Sequence, residues 1–152
     1  MHAESGMQPL DEEAARETFD LAFDRKGGIL GVIGPQGDIR GMLGLLITRF
    51  WFTRDRHLEE IFNFVRPDCR QGTPYAEQLI SFAKMCAKVP EINLPLIIGV
   101  LTNRRVEGKV KLYQRQLGVP SGAFFVYNSP DWHDQANDEF WRSAFRRKRS
   151  RG

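Results

Sequence analysis

The sequence predicts an α/β or α+β domain built on one mixed sheet with helices packed against it. An apolar strand over 57–65 leads through a polar turn into an amphipathic helix over 76–87. A nearly unbroken apolar run over 94–101 follows, which is typical of a strand buried on both faces. Strand, helix and strand in this order form a right-handed crossover between two parallel strands.

The elements before this unit predict a helix and an antiparallel hairpin. Asp11 is a candidate N-cap for a helix over 11–25, because acidic residues fill its first turn and glycines follow it. Strands over 29–33 and 42–52 are separated by a glycine- and proline-rich turn. The second strand ends in three aromatic residues, which are either core and rim packing or one wall of a substrate cleft: Phe50, Trp51 and Phe52.

Strict alternation along the third strand divides its side chains between two faces of the sheet. It places Glu59 with Ile61, Asn63 and Val65, and it places Glu60 on the opposite face with Phe62 and Phe64. His57 stands alone at the start of this strand, where a surface position is expected, and we assign it no role.

The second half of the chain predicts a helix over 106–117, ended by Gly118, and a strand over 123–127. We expect one domain over residues 1–130. Residues 131–152 are expected to form a short docked helix and a basic tail, disordered over 146–152.

Charge is strongly polarised along the chain. Its net charge is +3, but residues 1–24 carry seven acidic side chains and one basic one, whereas residues 142–152 carry six basic side chains and no acid. The basic excess therefore belongs to a terminus and gives no nucleic-acid-binding face. The two cysteines have no metal-ligand spacing, so no metal is expected. No signal pattern or membrane-spanning run is present, which predicts a cytoplasmic protein.

The turn over residues 66–76 is the feature that points to a ligand. It contains small residues and leads directly into a helix N-terminus. The first backbone N–H groups of a helix lack intrahelical partners, and the helix dipole is positive there. Such a turn is a ready site for a phosphate-like anion.

These features resemble the GNAT superfamily of acetyl-CoA-dependent N-acetyltransferases over about residues 11–128. The resemblance lies in the order of elements, in the arginine-containing turn, and in the later stretch Lys111–Gly118. It implies a mostly antiparallel sheet with a central parallel pair splayed for coenzyme A. The version of the turn in this chain is similar to divergent, often phage-encoded members.

The family signature, Arg/Gln-x-x-Gly-x-Gly/Ala, fits the turn in two frames. Counting back from Ala76 places Gln71 first, whereas the distance from Val65 places Arg70 first in a longer loop. Pro74 stands where a glycine is expected and removes one N–H donor. By resemblance, the pyrophosphate of acetyl-CoA is held by Arg70, Gln71, Gly72, Thr73, Pro74, Tyr75 and Ala76.

The resemblance also implies roles for individual residues. Backbone groups of Asn63, Phe64 and Val65 would bind the pantetheine arm. Glu59, favoured over Glu60, would be the general base, and the alternative is that either carboxylate is a solvated charge at the strand end. Tyr113 would be the acid that protonates the thiolate, or else a core tyrosine. Asn103 would contact the pantetheine arm or cap the following helix. Trp51 and Phe52 would form a wall of the acceptor site.

Two other function classes stay open at this point. One is a GNAT-fold protein without catalysis that serves as a structural or interaction module, for instance in a virion. The other is a polyanion-binding accessory protein that acts through the basic tail, with salt-dependent affinity. The acidic N-terminal helix could also pair with that tail, within one chain or in a homodimer. The amine acceptor cannot be read from the sequence, because this fold serves many acceptors through variable loops.

Overall fold

The computed structural model describes residues 11–23, 27–100 and 106–122. The chain divides into two compact units, of which Asp11–Gly99 is one and Met1–Leu10 with Val100–Gly152 is the other. The predicted strand over 123–127, the C-terminal helix, the basic tail and Asn103 lie outside the described residues.

A four-stranded mixed sheet forms the centre of the unit Asp11–Gly99. Its strands are β1 (Gly28–Ile33), β2 (Gly41–Arg49), β3 (Arg56–Val65) and β4 (Leu96–Ile98), in spatial order β1-β2-β3-β4. The first three strands pair antiparallel, and β3 pairs parallel with β4. The predicted mixed sheet and its parallel crossover are therefore confirmed.

Strand β4 is shorter than the predicted strand over 94–101, and its three residues are only half-buried. The prediction of a long strand buried on both faces is wrong. The start of the apolar run turns back onto the preceding helix instead, because Leu94 N–H donates to Ala87 O at 3.1 Å and Asn93 adopts a φ of +43°.

Helix α1 (Glu12–Phe23) covers one face of the sheet. Asp11 caps it as predicted, since its Oδ1 accepts the N–H groups of Glu13 and Ala14 at 3.0 Å. Phe19 packs against Phe62 of β3 with ring centroids 5.2 Å apart. Phe23, at the end of the helix, is 66% exposed.

Helix α2 (Tyr75–Lys88) covers the other face, so the sheet has helices on both sides. The predicted apolar stripe of this helix is confirmed. The core on this face is formed by buried residues of β2, β3 and α2, namely Leu43, Leu45, Leu58, Val65, Leu79, Ala83 and Cys86. Burial raises the pKa of the Cys86 thiol.

A β-bulge interrupts β3 and changes which side chains share a face. Glu60 pairs with Leu45 and Phe62 pairs with Gly44, so Ile61 is an extra residue in the strand. The alternation predicted from the sequence is therefore wrong beyond this point. Glu59 shares the α1 face with Phe62 and Phe64, whereas Glu60 shares the α2 face with Asn63 and Val65.

Helix α3 (Val106–Leu117) belongs to the other compact unit. It ends as predicted at Gly118, which has a φ of +99° and donates its N–H to Gln114 O at 3.0 Å. Val106 is buried, and Lys111 pairs with Glu107 one turn earlier. None of the helices in the described ranges has the length and apolarity that a membrane span requires.

Candidate functional site

Among the described residues, the edge of β3 that faces β4 is paired over only part of its length. The two strands pair only from Leu58 to Glu60, opposite Leu96 to Ile98. Within the described residues, no strand pairs with this edge of β3 beyond Glu60. Backbone groups along Ile61–Val65 that point away from β2 therefore have no partner strand among the described residues, although Val65 O accepts a hydrogen bond from the Arg70 side chain.

Two hydrogen bonds fix the directions in which the β3 amides point. Leu58 N–H donates to Pro95 O at 2.8 Å on the β4 side, whereas Arg66 N–H donates to Arg40 O at 2.8 Å on the β2 side. Because Leu58 and Arg66 are separated by an even number of positions, strict alternation would point both of their N–H groups to the same side of β3. The extra residue at Ile61 accounts for the reversal.

Counting back from Arg66, the N–H of Phe64 points to β2, whereas the N–H groups of Asn63 and Val65 point to the open edge. A side-chain contact agrees with this direction, since Val65 O accepts from Arg70 Nε at 2.7 Å. The bulge therefore leaves the N–H groups of Asn63 and Val65 pointing to the edge of β3 that no described strand covers. It also removes the Phe64 amide from the predicted set of donors.

The turn after β3 is ordered by its own hydrogen bonds. A short 3₁₀ turn (Pro67–Cys69) is followed by Gly72, whose φ of +71° is a conformation that favours glycine. Thr73 Oγ1 donates to Cys69 O at 2.5 Å. Pro74 occupies the N-cap position of α2, and the first helical bond runs from Gln78 N–H to Pro74 O at 2.9 Å.

Five backbone N–H groups of this turn make no hydrogen bond within the described residues. They belong to the residues on either side of Pro74, namely Gln71, Gly72, Thr73, Tyr75 and Ala76. Pro74 contributes no donor. This segment, Gln71–Ala76, is called the amide turn below. It begins six residues after the open edge of β3, at the positive end of α2.

Arg70 lies between the open edge and the amide turn. In addition to its bond with Val65 O, its guanidinium carbon lies 5.4 Å from the centroid of the Phe64 ring. Gln71, the alternative first residue of the signature, is exposed. Both signature frames stay predictions, but only Arg70 has contacts that tie its side chain to β3.

Two arginines and two aspartates join the β1–β2 turn to the segment between β3 and the amide turn. Asp38 accepts from Arg40 Nε at 2.9 Å and from Arg66 Nη1 at 2.5 Å, and Arg66 Nε also donates to Asp68 at 2.7 Å. Arg40 Nη1 contacts the Tyr75 hydroxyl at 3.5 Å. The guanidinium of Arg66, followed by that of Arg40, lowers the pKa of Asp38. Arg66 likewise lowers the pKa of Asp68.

These shifts predict a loss of stability in acid. Each folded-state pKa lies below the ordinary value of 3.8, so the stabilisation is complete above that value and is lost as the pH falls through the folded pKa. Asp38→Asn should therefore be less stable than the wild type at neutral pH, and the difference should shrink in acid. Urea unfolding across pH measures this, with Asp55→Asn as the control. A constant difference would contradict the ion-pair network.

The two candidate bases lie on opposite faces of β3. Glu59 is exposed on the α1 face. Glu60 is half-buried on the α2 face, with its Oε2 enclosed by protein, and it is the last β3 residue paired with β4. The assignment of Glu59 as base stays a prediction.

The β2–β3 connection, Arg49–Arg56, is called the aromatic loop below. Its three aromatic residues were predicted as the end of a strand, but they follow β2 and form a turn. Phe50, Trp51 and Phe52 are 43%, 95% and 67% exposed, so packing in the core is excluded. His57 was expected on the surface, but it is buried with its ring centroid 4.5 Å from that of Phe50.

Tyr113 lies half-buried on α3, in the other compact unit. Its predicted role as an acid therefore stays a prediction, as does the role of Asn103. The site features that the sequence reading missed are the bulge at Ile61 and the ion-pair network around Asp38. The network had a sequence signal, because Asp38 and Arg40 are charged residues beside a glycine-rich turn.

No family model and no curated protein sequence matches this chain. Its structure is similar to several solved acetyltransferases. An acetyltransferase from Trypanosoma brucei is 20% identical with a TM-score of 0.55, over 79% of this chain and 80% of the other. A GNAT family acetyltransferase from Staphylococcus aureus is 12% identical with a TM-score of 0.53, over 79% and 78%. The chain has the GNAT fold.

A third similar structure shows how widely the GNAT fold is used. It is an aminoglycoside antibiotic 6′-N-acetyltransferase from Acinetobacter haemolyticus, 17% identical with a TM-score of 0.57, over 81% of this chain and 83% of the other. Structural similarity at this level of sequence identity establishes the fold. It does not establish the acceptor substrate, which depends on individual side chains. The predicted GNAT-like sheet with its parallel pair is confirmed.

Proposed function

We propose that this protein is an N-acetyltransferase that moves an acetyl group from acetyl-CoA to an amine by direct attack. The main support for the proposal is one observation. The N–H groups of Asn63 and Val65 point away from β2 along the open edge of β3, and the amide turn follows this part of the strand. A long ligand with a diphosphate at one end and an amide-containing arm at the other matches this row of donors.

The residues of the site fit the chemistry of coenzyme A. The amide turn offers five N–H donors and the positive end of a helix to the diphosphate. Asn63 and Val65 offer hydrogen bonds to the pantetheine arm. The acidic neighbours Asp38 and Asp68 do not repel the anion strongly, because Arg40 and Arg66 neutralise them. The absence of an N–H at Pro74 leaves one donor fewer than in a glycine-containing turn.

Acetyl-CoA supplies an activated thioester, whose carbonyl carbon gains a bond to the amine nitrogen as its bond to sulfur breaks. In this proposal Glu59 takes the proton that leaves the amine, directly or through water. Tyr113 gives a proton to the departing sulfur, which completes the thiol of coenzyme A. The backbone donors hold the reacting groups in position, which lowers the barrier by orientation.

Tyr113→Phe tests the proton donor. The variant should lower kcat by at least about 10-fold with little change in the affinity for acetyl-CoA, since only the hydroxyl is removed. Steady-state kinetics with a chromogenic assay for the released thiol separates kcat from KM. An unchanged kcat would remove Tyr113 from the mechanism.

Thermal unfolding with added acetyl-CoA tests the proposed function itself. A ligand at about 100 times its Kd stabilises the folded state by about 2.7 kcal/mol, so binding should raise the Tm clearly. Pantetheine, which lacks the diphosphate, should raise it much less. No stabilisation by millimolar acetyl-CoA would contradict the proposal.

A second candidate, a GNAT-fold binding protein without catalysis, is favoured by the exposure of Glu59. Thiol release distinguishes the two functions. A binding protein would be stabilised by acetyl-CoA but would release no thiol when amines are added.

A further inference from the structure

The aromatic loop presents an uncovered apolar surface with a fixed arrangement. The rings of Phe50 and Phe52 stack at a centroid distance of 5.2 Å and an interplanar angle of 5°. The Trp51 ring meets Phe52 edge-on at 5.6 Å. Arg49 to Arg54 line a surface cavity of about 580 Å³, which is large enough for one or two side chains. The aromatic groups are therefore ordered by one another while Trp51 stays almost fully exposed.

The cations of this loop have no acidic partners. The side chains of Arg49, Arg54 and Arg56 are exposed and make no ion pair or hydrogen bond within the described ranges of the chain. Asp55 is the only acidic residue of the loop. Arg40 and Arg66 differ from these arginines, since both are paired with aspartates. The loop therefore combines exposed rings with uncompensated positive charge, which is complementary to an acidic ligand that also has an apolar group.

We propose that the aromatic loop docks an acidic polypeptide segment that carries an apolar or aromatic side chain, and that this segment is part of the amine acceptor. A short acidic segment is favoured over a nucleic acid or an anionic membrane. Residues 11–99 carry thirteen acidic and eleven basic side chains, so this unit has no net positive charge that would attract an extended polyanion beyond the loop.

The position of the loop connects it to the reaction, and this part of the inference rests on the proposed function. Strand β3 begins at Arg56, and its open edge begins after Glu60, about 13 Å further along the strand. The amide turn lies at the opposite end of β3. A peptide of about four residues in extended conformation would therefore span the distance from an amine at the start of the open edge to the aromatic loop. The acceptor should carry its acidic residues at about that distance from the amine.

A binding experiment with the full chain tests this inference. The probe is a fluorescein-labelled peptide with a free N-terminal amine, followed after a short spacer by glutamates and one phenylalanine. The comparison peptide has glutamines in place of the glutamates. Fluorescence anisotropy at low ionic strength should show at least about 10-fold tighter binding of the acidic peptide. The same peptide should be acetylated with a lower KM than the glutamine peptide.

Matched variants locate the binding surface. The double variant Arg54→Glu with Arg56→Glu should weaken binding of the acidic peptide at least about 10-fold, and Trp51→Ala should weaken it about 5-fold. Arg16→Glu is the control, since it reverses an exposed charge on α1 outside the loop. All of these residues are exposed, so each variant should fold and keep its stabilisation by acetyl-CoA.

Several outcomes would overturn the inference. Equal binding of the two peptides, or an equal loss in Arg16→Glu, would exclude the loop as an acidic-peptide site. Tighter loop-dependent binding of oligo-dT or phosphatidylserine vesicles would assign the surface to a different ligand. Stabilisation by acetyl-CoA without any peptide preference would leave the proposed function intact and reject the docking. Peptide binding without acetyl-CoA stabilisation would keep the docking but reject the peptide as an acceptor.

Discussion

Replacing Gln71 with glutamate is expected to weaken acetyl-CoA binding about 10- to 100-fold, because it adds a negative charge beside the diphosphate. Gln71 is exposed and is part of the amide turn. The substitution keeps the size of the side chain, and its backbone N–H remains available. The loss therefore reports charge repulsion at the turn, and isothermal titration calorimetry measures it directly.

The control for this prediction is Ser81→Glu. Ser81 is exposed on α2, well beyond the amide turn, and its substitution adds the same charge. The affinity of Ser81→Glu for acetyl-CoA should stay within about 3-fold of the wild-type value, because solvent and salt screen a distant charge. An equal loss of affinity in the two variants would mean that the diphosphate does not lie at the amide turn.

Gly34→Ala should destabilise the fold by about 3 kcal/mol, because the added methyl group would overlap with backbone atoms of the same turn. Gly34 has a φ of +126°, and a Cβ there would lie 2.2 Å from Asp38 O and 3.0 Å from Arg40 N. Both neighbours are backbone atoms of the segment that supplies the ion-pair network. The turn would have to open, which would also separate Asp38 from Arg66.

Gly37→Ala is a matched control in the same turn. Gly37 also has a positive φ, of +83°, but a Cβ there would meet no atom within 4 Å. Its cost should be about 1 kcal/mol, from the backbone conformation alone. Urea unfolding of both variants separates the two contributions. Equal destabilisation would show that the close approach of Gly34 to Asp38 does not exist.

Local sequence patterns predicted the parts of the fold that depend on neighbours along the chain. Asp11 as N-cap, the apolar stripe of α2 and the end of α3 at Gly118 each follow from residues within a few positions. The parallel crossover followed from the strand–helix–strand order. The amide turn was also predicted, because an unpaired helix N-terminus is a property of any helix that begins after such a turn.

The features that the sequence did not reveal depend on contacts between distant segments. The bulge at Ile61 lies opposite Gly44 and Leu45 of β2, and a Cβ at Gly44 would lie 2.5 Å from the Phe62 ring. A prediction from strict alternation of side chains cannot detect one inserted residue. It therefore placed Glu59 on the same face of β3 as Val65, which is wrong. The ion-pair network likewise joins Asp38 to Arg66 across two strands.

Hydrogen exchange of individual backbone amides, measured by NMR with and without acetyl-CoA, tests the central claim most directly. Acetyl-CoA should slow exchange at Asn63, at Val65 and in the amide turn. Exchange at Phe64 should change little, because its N–H already faces β2. Unchanged exchange at all of these amides under saturating acetyl-CoA, or protection confined to the aromatic loop, would contradict this account of the site.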